Sequence, residues 1–275
     1  MISKQANLIS KEIGFSRVSG KGLHISPLVS AVIITFNEEN NIGKTLAQLK
    51  WCDEIIIVDS YSTDNTVAIC EKYGCKIFYK KFEGYGEQKT FALSKSTNDW
   101  VLCIDADEVI SDKLVIEIKE ALITNNKVHA GFSFRMNLVF LNKEFLYGRE
   151  SGKYFTRLFN KQLGGFTDDK VHESIGVRGS IKKLKNTVRH NSYTNLHQCL
   201  EKNNRYSTYS AQMAFNKGKN KSLLAILFGL PFNFFKYYII ELNFLNGRKG
   251  FYWSVFSSFY HFSKYVKLNE LNKVS

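Results

Sequence analysis

The chain lacks a glycine-rich phosphate loop after its first apolar run, any cysteine or histidine spacing that would cage zinc, and an apolar leader. Asn37-Glu38-Glu39 stands where a triphosphate loop would follow the first strand, which argues against nucleotidyl transfer, the reading from another enzyme class. The five cysteines (Cys52, Cys70, Cys75, Cys103, Cys199) are odd in number and several sit in apolar segments. They read as buried thiols in a reducing compartment. Residues 1–22 are polar and carry Lys and Glu where the core of a signal peptide would have to lie, so a cytoplasmic location is expected. Acidic side chains are also scarce, 25 against 38 Lys and Arg, for a net charge of +13. Such a surplus suits nucleic acid, an anionic membrane or an anionic substrate. No RNA-recognition aromatic motif or basic-region heptad is present, so no nucleic-acid partner is expected.

What the chain does have is the run Trp100-Val-Leu-Cys-Ile-Asp105-Ala-Asp107-Glu108, apolar until it ends in carboxylates. Open α/β sheets build ligand sites at the carboxyl ends of such strands, and two aspartates one residue apart suit a hard divalent cation carrying a diphosphate. A solvated turn capping a helix from Ser111 is the plainer alternative. Upstream, Leu28–Thr35 is a β-branched run followed by Phe36-Asn-Glu-Glu-Asn40 and the helical pattern Ile42, Leu46, Leu49. Glu54–Val58 leads into Asp59-Ser-Tyr-Ser-Thr-Asp-Asn-Thr66 and a second helix, and Cys75–Tyr79 leads through a Gly84 and Gly86 turn to a helix with Gln88 and Lys89. Strands alternating with helices of about ten residues imply right-handed crossovers and a mainly parallel sheet, an α/β fold. A carboxylate at Asp59 can accept hydrogen bonds from a uracil ring, with capping of the next helix as the plainer alternative. Asp64, before Asn65-Thr66, reads as a helix cap. Lys89 can reach a diphosphate or remain an exposed helix lysine.

The series Thr35-Phe-Asn-Glu-Glu-Asn-Asn-Ile-Gly43, Val58-Asp-Ser-Tyr-Ser-Thr-Asp-Asn-Thr66, Gly86-Glu-Gln-Lys89 and Asp105-Ala-Asp-Glu108 resembles the nucleotide-sugar half of family 2 inverting glycosyltransferases, which have the GT-A fold. Val171-His-Glu173, His190-Asn-Ser-Tyr193 and Lys202-Asn-Asn-Arg-Tyr206 resemble the lipopolysaccharide-core β-glucosyltransferase subgroup. Tyr61 stands where the family more often has glycine, and Thr90 where it more often has asparagine; both lie in donor-side loops. The resemblance implies that Asp107 binds Mg2+ or Mn2+ directly, while Asp105 shares the metal or meets the ribose. It also implies that Glu38 faces the nucleoside, with Asn37 shaping its loop. An inverting displacement needs a base for the acceptor hydroxyl. Among Asp168, Asp169 and Glu173, the subgroup motif selects Glu173, and His172 is a second metal ligand or an acceptor hydrogen-bonder. Arg149, Lys153, Arg157 and Arg189 are cations available for an anionic acceptor, because arginine forks grip phosphate and carboxylate at two points.

Leu223–Leu245 is apolar and long enough to span a bilayer, but Pro231, Lys236, Glu241 and two asparagines interrupt it. Lysines at 217, 219, 221, 264 and 267, with Arg248, Lys249 and the aromatics Tyr237, Tyr238, Tyr252, Trp253, Tyr260 and Tyr265, suit the inner face of a membrane. The expected organisation is an N-terminal extension (1–27), a GT-A domain (28–195, divided near 110 into donor and acceptor halves) and a helical, membrane-associating extension (196–275). The expected activity transfers a hexose, glucose from UDP-glucose, to an anionic lipid-linked oligosaccharide at the membrane's cytoplasmic face. Capsule, polyprenyl or protein acceptors are the alternatives.

Overall fold

The structure is a computed structural model and describes residues 26–166 and 174–274. Two compact units divide the chain. The first holds the described residues up to Met136 together with Tyr154–His190, and the second holds Asn137–Lys153 with the chain from Asn191 onward. Segment 137–153 thus groups with the C-terminal helices, where the sequence reading had joined it to the GT-A domain.

The first unit is built on four parallel strands, in the order β3 (Lys76–Tyr79), β2 (Glu54–Asp59), β1 (Val29–Thr35) and β4 (Trp100–Cys103). Val32 pairs with Ile56 on one side and Cys103 on the other, which aligns the carboxyl ends of β1, β2 and β4 on one rim. Beyond β4 the sheet continues through β8 (Lys153–Asn160), β6 (Gly131–Phe140), β11 (Ile181–Tyr193) and β5 (Glu108–Ile110), and β7 (Lys143–Glu144) pairs with β6. The β4–β8 and β5–β11 pairs are antiparallel. A separate two-stranded sheet joins β9 (Gly164–Phe166) and β10 (Ile175–Val177).

The near-continuous apolar sequence of the parallel strands follows from burial on both faces. Val29, Ala31 and Ile33 of β1, Ile55 and Ile57 of β2, and Trp100 and Leu102 of β4 join one core. That core also takes Ile42 and Leu46 of α1 (Ile42–Ala47), Cys70 of α2 (Thr66–Lys72), and Leu114, Ile118 and Leu122 of α4 (Asp112–Asn125). The alternate residues Val32, Ile56, Val58, Val101 and Cys103 pack with Ala92 of α3 (Tyr85–Ser94). Each fully buried Ile or Leu contributes roughly 1.5–3 kcal/mol, so this sandwich holds the rim rigid. Ser111 caps α4, its hydroxyl accepting from the Leu114 N–H at 3.2 Å. Gly86 lies inside α3, so the turn before that helix turns at Gly84.

The second unit contains α5 (Leu196–Asn216), α6 (Leu223–Phe235), a π-helical turn (Lys236–Ile240), a 3-10 turn (Asn243–Asn246) and α7 (Arg248–Val274). Its core sets Leu138, Phe140 and Phe145 against Tyr193, Cys199, Trp253 and Phe256. The corner before α7 requires Gly250, because a Cβ there would lie 1.8 Å from the Asn243 carbonyl oxygen.

One buried carboxylate, at the opposite end of the parallel strands from the rim, ties β1, β2, β3 and the approach to β4 together. Glu54 accepts from Ser30 Oγ at 2.5 Å, Thr97 N–H at 2.6 Å, Thr97 Oγ1 at 2.8 Å and Lys76 Nζ at 2.6 Å. Burial alone would raise its pKa, but these donors hold it at about 2. A carboxylate depressed in the folded state makes the unfolded chain bind more protons in acid, so its contribution is present at neutral pH and is lost as pH falls toward 2. The span from 4.5 to about 2 corresponds to about 3 kcal/mol. Glu54→Gln is therefore expected to lose about 2–3 kcal/mol in urea unfolding near neutral pH and to converge on wild type near pH 2–3. Parallel pH profiles for the two proteins would contradict this account.

Candidate active site

The loops after β1 and β2 are stitched to one another at the rim. Asn37, at φ 54°, donates its N–H to Ser62 Oγ at 2.8 Å and accepts from Thr63 N–H at 2.8 Å through its side-chain oxygen. Glu38 N–H donates to Thr66 Oγ1 at 2.7 Å, and its carboxylate accepts from Asn41 Nδ2 at 2.9 Å. Glu39 N–H donates to Asp64 Oδ2 at 3.1 Å. Asp64 also accepts from Thr66 N–H at 3.0 Å at the entry to α2, where Asn65 rather than Asp64 is the N-cap residue. Asp59 is fully buried, and its two oxygens accept from Ser62 N–H at 2.7 Å and Ser62 Oγ at 2.5 Å. Its carboxylate therefore shapes the loop that follows β2. Tyr61, at φ 64°, is exposed and stacks on Tyr79 with centroids 5.8 Å apart.

The acidic loop after β4 is braced from below by Thr45 of α1, whose hydroxyl donates to the Ala106 carbonyl at 2.8 Å. Glu108 N–H donates to the Asp105 carbonyl at 3.0 Å, and Asp105 N–H donates to Glu108 Oε2 at 3.2 Å, which closes a tight turn. Asp105 and Asp107 are partly exposed at the rim, whereas the Glu108 side chain is fully buried.

Three cations from three different elements meet these carboxylates. Lys89 of α3 places Nζ 3.0 Å from Asp105 Oδ1. Arg157 of β8 places a guanidinium nitrogen 3.3 Å from Asp105 Oδ2 and hydrogen-bonds Glu108 at close range. His190 of β11 lies opposite Glu108 in the strand register and sets Nε2 3.2 Å from Asp107 Oδ2. Burial by itself would favour the neutral forms throughout, but the mutual charges override it at most positions. Arg157 and Lys89 hold the Asp105 carboxyl well below its ordinary range. Asp105 in turn keeps the Lys89 ammonium above its own range. Burial raises Glu108 against the pull of Arg157. Asp107, with Glu108 and Asp105 behind it, pushes His190 up to about 9, so its imidazole is charged at neutral pH.

The donor set has a specific reach. Both oxygens of Asp105 are engaged by Lys89 and Arg157, whereas Asp107, paired with the charged His190, is the rim carboxylate whose oxygens suit Mg2+ or Mn2+ completed by ligand oxygens. Among the described residues no three His, Cys, Asp or Glu side chains gather to cage a metal by themselves. His172, Glu173, Asp168 and Asp169 lie outside the described residues. Of the remaining expected residues, Lys89, Asp105 and Asp107 come together after β4, while Asn37, Glu38 and Asp59 belong to the stitched pair of loops. Arg157, expected as a cation for the acceptor, belongs to the acidic cluster, and Lys153 pairs with Glu150 at 3.3 Å on the surface of the second unit. The sequence reading gave His190 no role beyond its motif. The signal for both residues was the carboxylate run itself, since a buried Glu108 demands a cation from a strand that is distant in sequence.

Removing one partner of a buried pair strands the other charge at a cost of about 3–5 kcal/mol. Arg157→Ala is expected to lower the unfolding free energy by about 3 kcal/mol, and Arg157→Ala with Glu108→Leu to recover most of that loss in a double-mutant cycle. A single-variant loss below about 1 kcal/mol would mean that solvent already screens the pair.

The sequence matches known proteins over most of its length. The model of glycosyl transferase family 2 matches residues 30–185. The protein named Uncharacterized glycosyltransferase RC0292 of Rickettsia conorii is 35% identical over 254 residues, covering 88% of this chain and 90% of its own length. The lipopolysaccharide core biosynthesis glycosyltransferase LpsC of Rhizobium meliloti is 28% identical over 247 residues, covering 87% and 91%. Among solved structures, mannosyl-3-phosphoglycerate synthase from Rubrobacter xylanophilus superposes on 78% of each chain with a TM-score of 0.43 at 16% identity. With a family match over more than half its length and a relative 35% identical across most of both chains, the chain belongs to glycosyl transferase family 2.

Proposed function

We propose that this glycosyltransferase moves a hexose, glucose from UDP-glucose, onto an anionic lipid-linked oligosaccharide of the lipopolysaccharide-core type. The observation that carries the donor half is the Asp107–His190 pair beside the Arg157 and Lys89 cations, at the end of β4. Departure of a sugar diphosphate puts negative charge on phosphate oxygens, and fixed cations placed beforehand stabilise that charge. A bound Mg2+ or Mn2+ would neutralise the leaving diphosphate as a Lewis acid, held by Asp107, and the charged His190 would add a fixed positive charge beside it. Asp105 keeps Lys89 and Arg157 ionised and oriented at the rim. The acceptor hydroxyl attacks C1, the bond from C1 to the diphosphate oxygen breaks, UDP leaves, and the hydroxyl proton passes to a carboxylate base. Glu173 is assigned as that base from its motif. A single displacement of this kind inverts an α-linked donor to a β-product.

The acceptor half draws support from the lipopolysaccharide-core name of the LpsC relative, from the net charge of +13 and from the second unit. Leu223–Ile240 is long and apolar enough to cross a membrane by length and composition, with mean hydropathy 1.6, and only 11% of it is buried. Leu223, Leu224, Leu227, Phe228, Phe232 and Ile240 are exposed, and Lys217, Lys219, Lys221, Arg248 and Lys249 flank them. Apolar side chains rimmed by lysine suit the surface of an anionic leaflet, where each base contributes roughly 1 kcal/mol. Phe234 and Tyr238 pack on Phe251 of α7, which favours a helix lying on the membrane over one that crosses it. The protein is accordingly assigned to the inner face of the cytoplasmic membrane as a peripheral enzyme.

Calorimetric titration with UDP tests the donor half. Wild type is expected to bind in the presence of Mn2+ and at least about tenfold more weakly without it, a difference of about 1.4 kcal/mol. Asp107→Asn is expected to lose the metal-dependent part. Binding that ignores both the metal and the substitution would overturn this assignment.

A further inference from the structure

Within the second unit, α6 and α7 leave between them an open groove of about 470 Å³. Ile226, Phe228 and Phe232 of α6 and Phe262 of α7 form its apolar walls. Two of its polar side chains are already committed within the protein. Asn233 Nδ2 donates to the Gly229 carbonyl at 2.7 Å, and His261 Nε2 is hydrogen-bonded to the Tyr237 hydroxyl at 2.7 Å, with the two rings stacked. Burial and the nearby Lys264, Lys236 and Arg149 push His261 down to about 4, so the groove floor carries no charge at neutral pH. Lys221 is the one formally charged side chain on the lining among the described residues, and its ammonium lies 5.3 Å from the centre of the Tyr265 ring.

Gly229 is a second, independent mark on this groove. Glycine inside a helix is less favourable than alanine. Neither a positive φ nor crowding demands it here, two residues before the helix-internal Pro231, since a Cβ would meet nothing closer than Asn233 Nδ2 at 3.9 Å. What glycine provides is an absent side chain in the groove wall.

We infer that the groove holds one acyl chain of an anionic membrane lipid, with Lys221 meeting its head group. The inference rests on the membrane attachment proposed above. Largely apolar walls whose Asn233 and His261 are already engaged offer little to a sugar or nucleotide, which would need unpaired donors and acceptors. A methylene chain matches such walls, and a cation placed at one side of the channel fits an anion attached to that chain. The exposed apolar face of α6 sets the groove beside the lipid from which the chain would come.

The test uses the full chain and dansyl-labelled undecanoic acid at monomeric concentration. Wild type is expected to take up the probe saturably with a blue-shifted emission. Gly229→Leu, which fills the wall and strengthens the helix, is expected to bind it at least about tenfold more weakly, with UDP affinity unchanged. Lys221→Ala is expected to weaken the fatty acid more than its methyl ester. Non-saturable uptake by wild type, or equal affinity in Gly229→Leu, overturns the groove assignment. Sedimentation with phosphatidylglycerol vesicles separates the two readings. Vesicle binding without saturable probe uptake refutes the groove alone, whereas probe uptake sensitive to Gly229→Leu without vesicle binding sustains the groove and refutes surface attachment.

Discussion

The rim of the first unit depends on the buried contact between Arg157 and Glu108. Glu108 opens β5 with no exposure to water, and an ionised carboxylate there is tolerated only beside a fixed positive charge. Arg157 supplies that charge from β8 and reaches Asp105 with the same guanidinium nitrogen. The turn from Asp105 to Glu108 is therefore held both by its own backbone hydrogen bonds and by an antiparallel neighbour of β4. His190 completes the arrangement through the β5–β11 register, which sets it across from Glu108. Three carboxylates and three cations thus face one another in a single cluster.

The parallel half of the fold was legible because its strands are buried on both faces and their helices carry clear apolar periodicity. Val29–Thr35, Glu54–Asp59 and Trp100–Cys103 form where their β-branched and apolar runs stand, and Ser111 caps the helix that follows it. The antiparallel half was not legible. Strands such as Lys153–Asn160 mix exposed and buried positions without a strict period, and their pairing is fixed by contacts distant in sequence.

The same division runs through the site. Asp105 and Asp107 announced themselves because carboxylates ending an apolar run are conspicuous. Arg157 and His190 did not, because nothing local in Phe155-Thr-Arg157 or Val188-Arg-His190 distinguishes a buried partner from a surface cation. Lys89 was ambiguous for a related reason, since a lysine on a helix reads as solvated until its distance to Asp105 is known. The grouping of residues 137–153 with the C-terminal helices was equally invisible, because β6 runs unbroken across that boundary.

The stitching between the loops after β1 and β2 has an engineering consequence. Asn37, Glu38 and Glu39 each spend their backbone N–H on a side chain of the other loop, and Thr63 and Asn65 return bonds to Asn37 and Glu39. The two segments thus behave as a single inherited cassette, with Tyr61 displayed at its crest. Transplanting either one alone from a relative with another donor preference would break several of these hydrogen bonds at once. Recombination between such enzymes should succeed when its crossover points fall outside residues 35–66, with both loops travelling together.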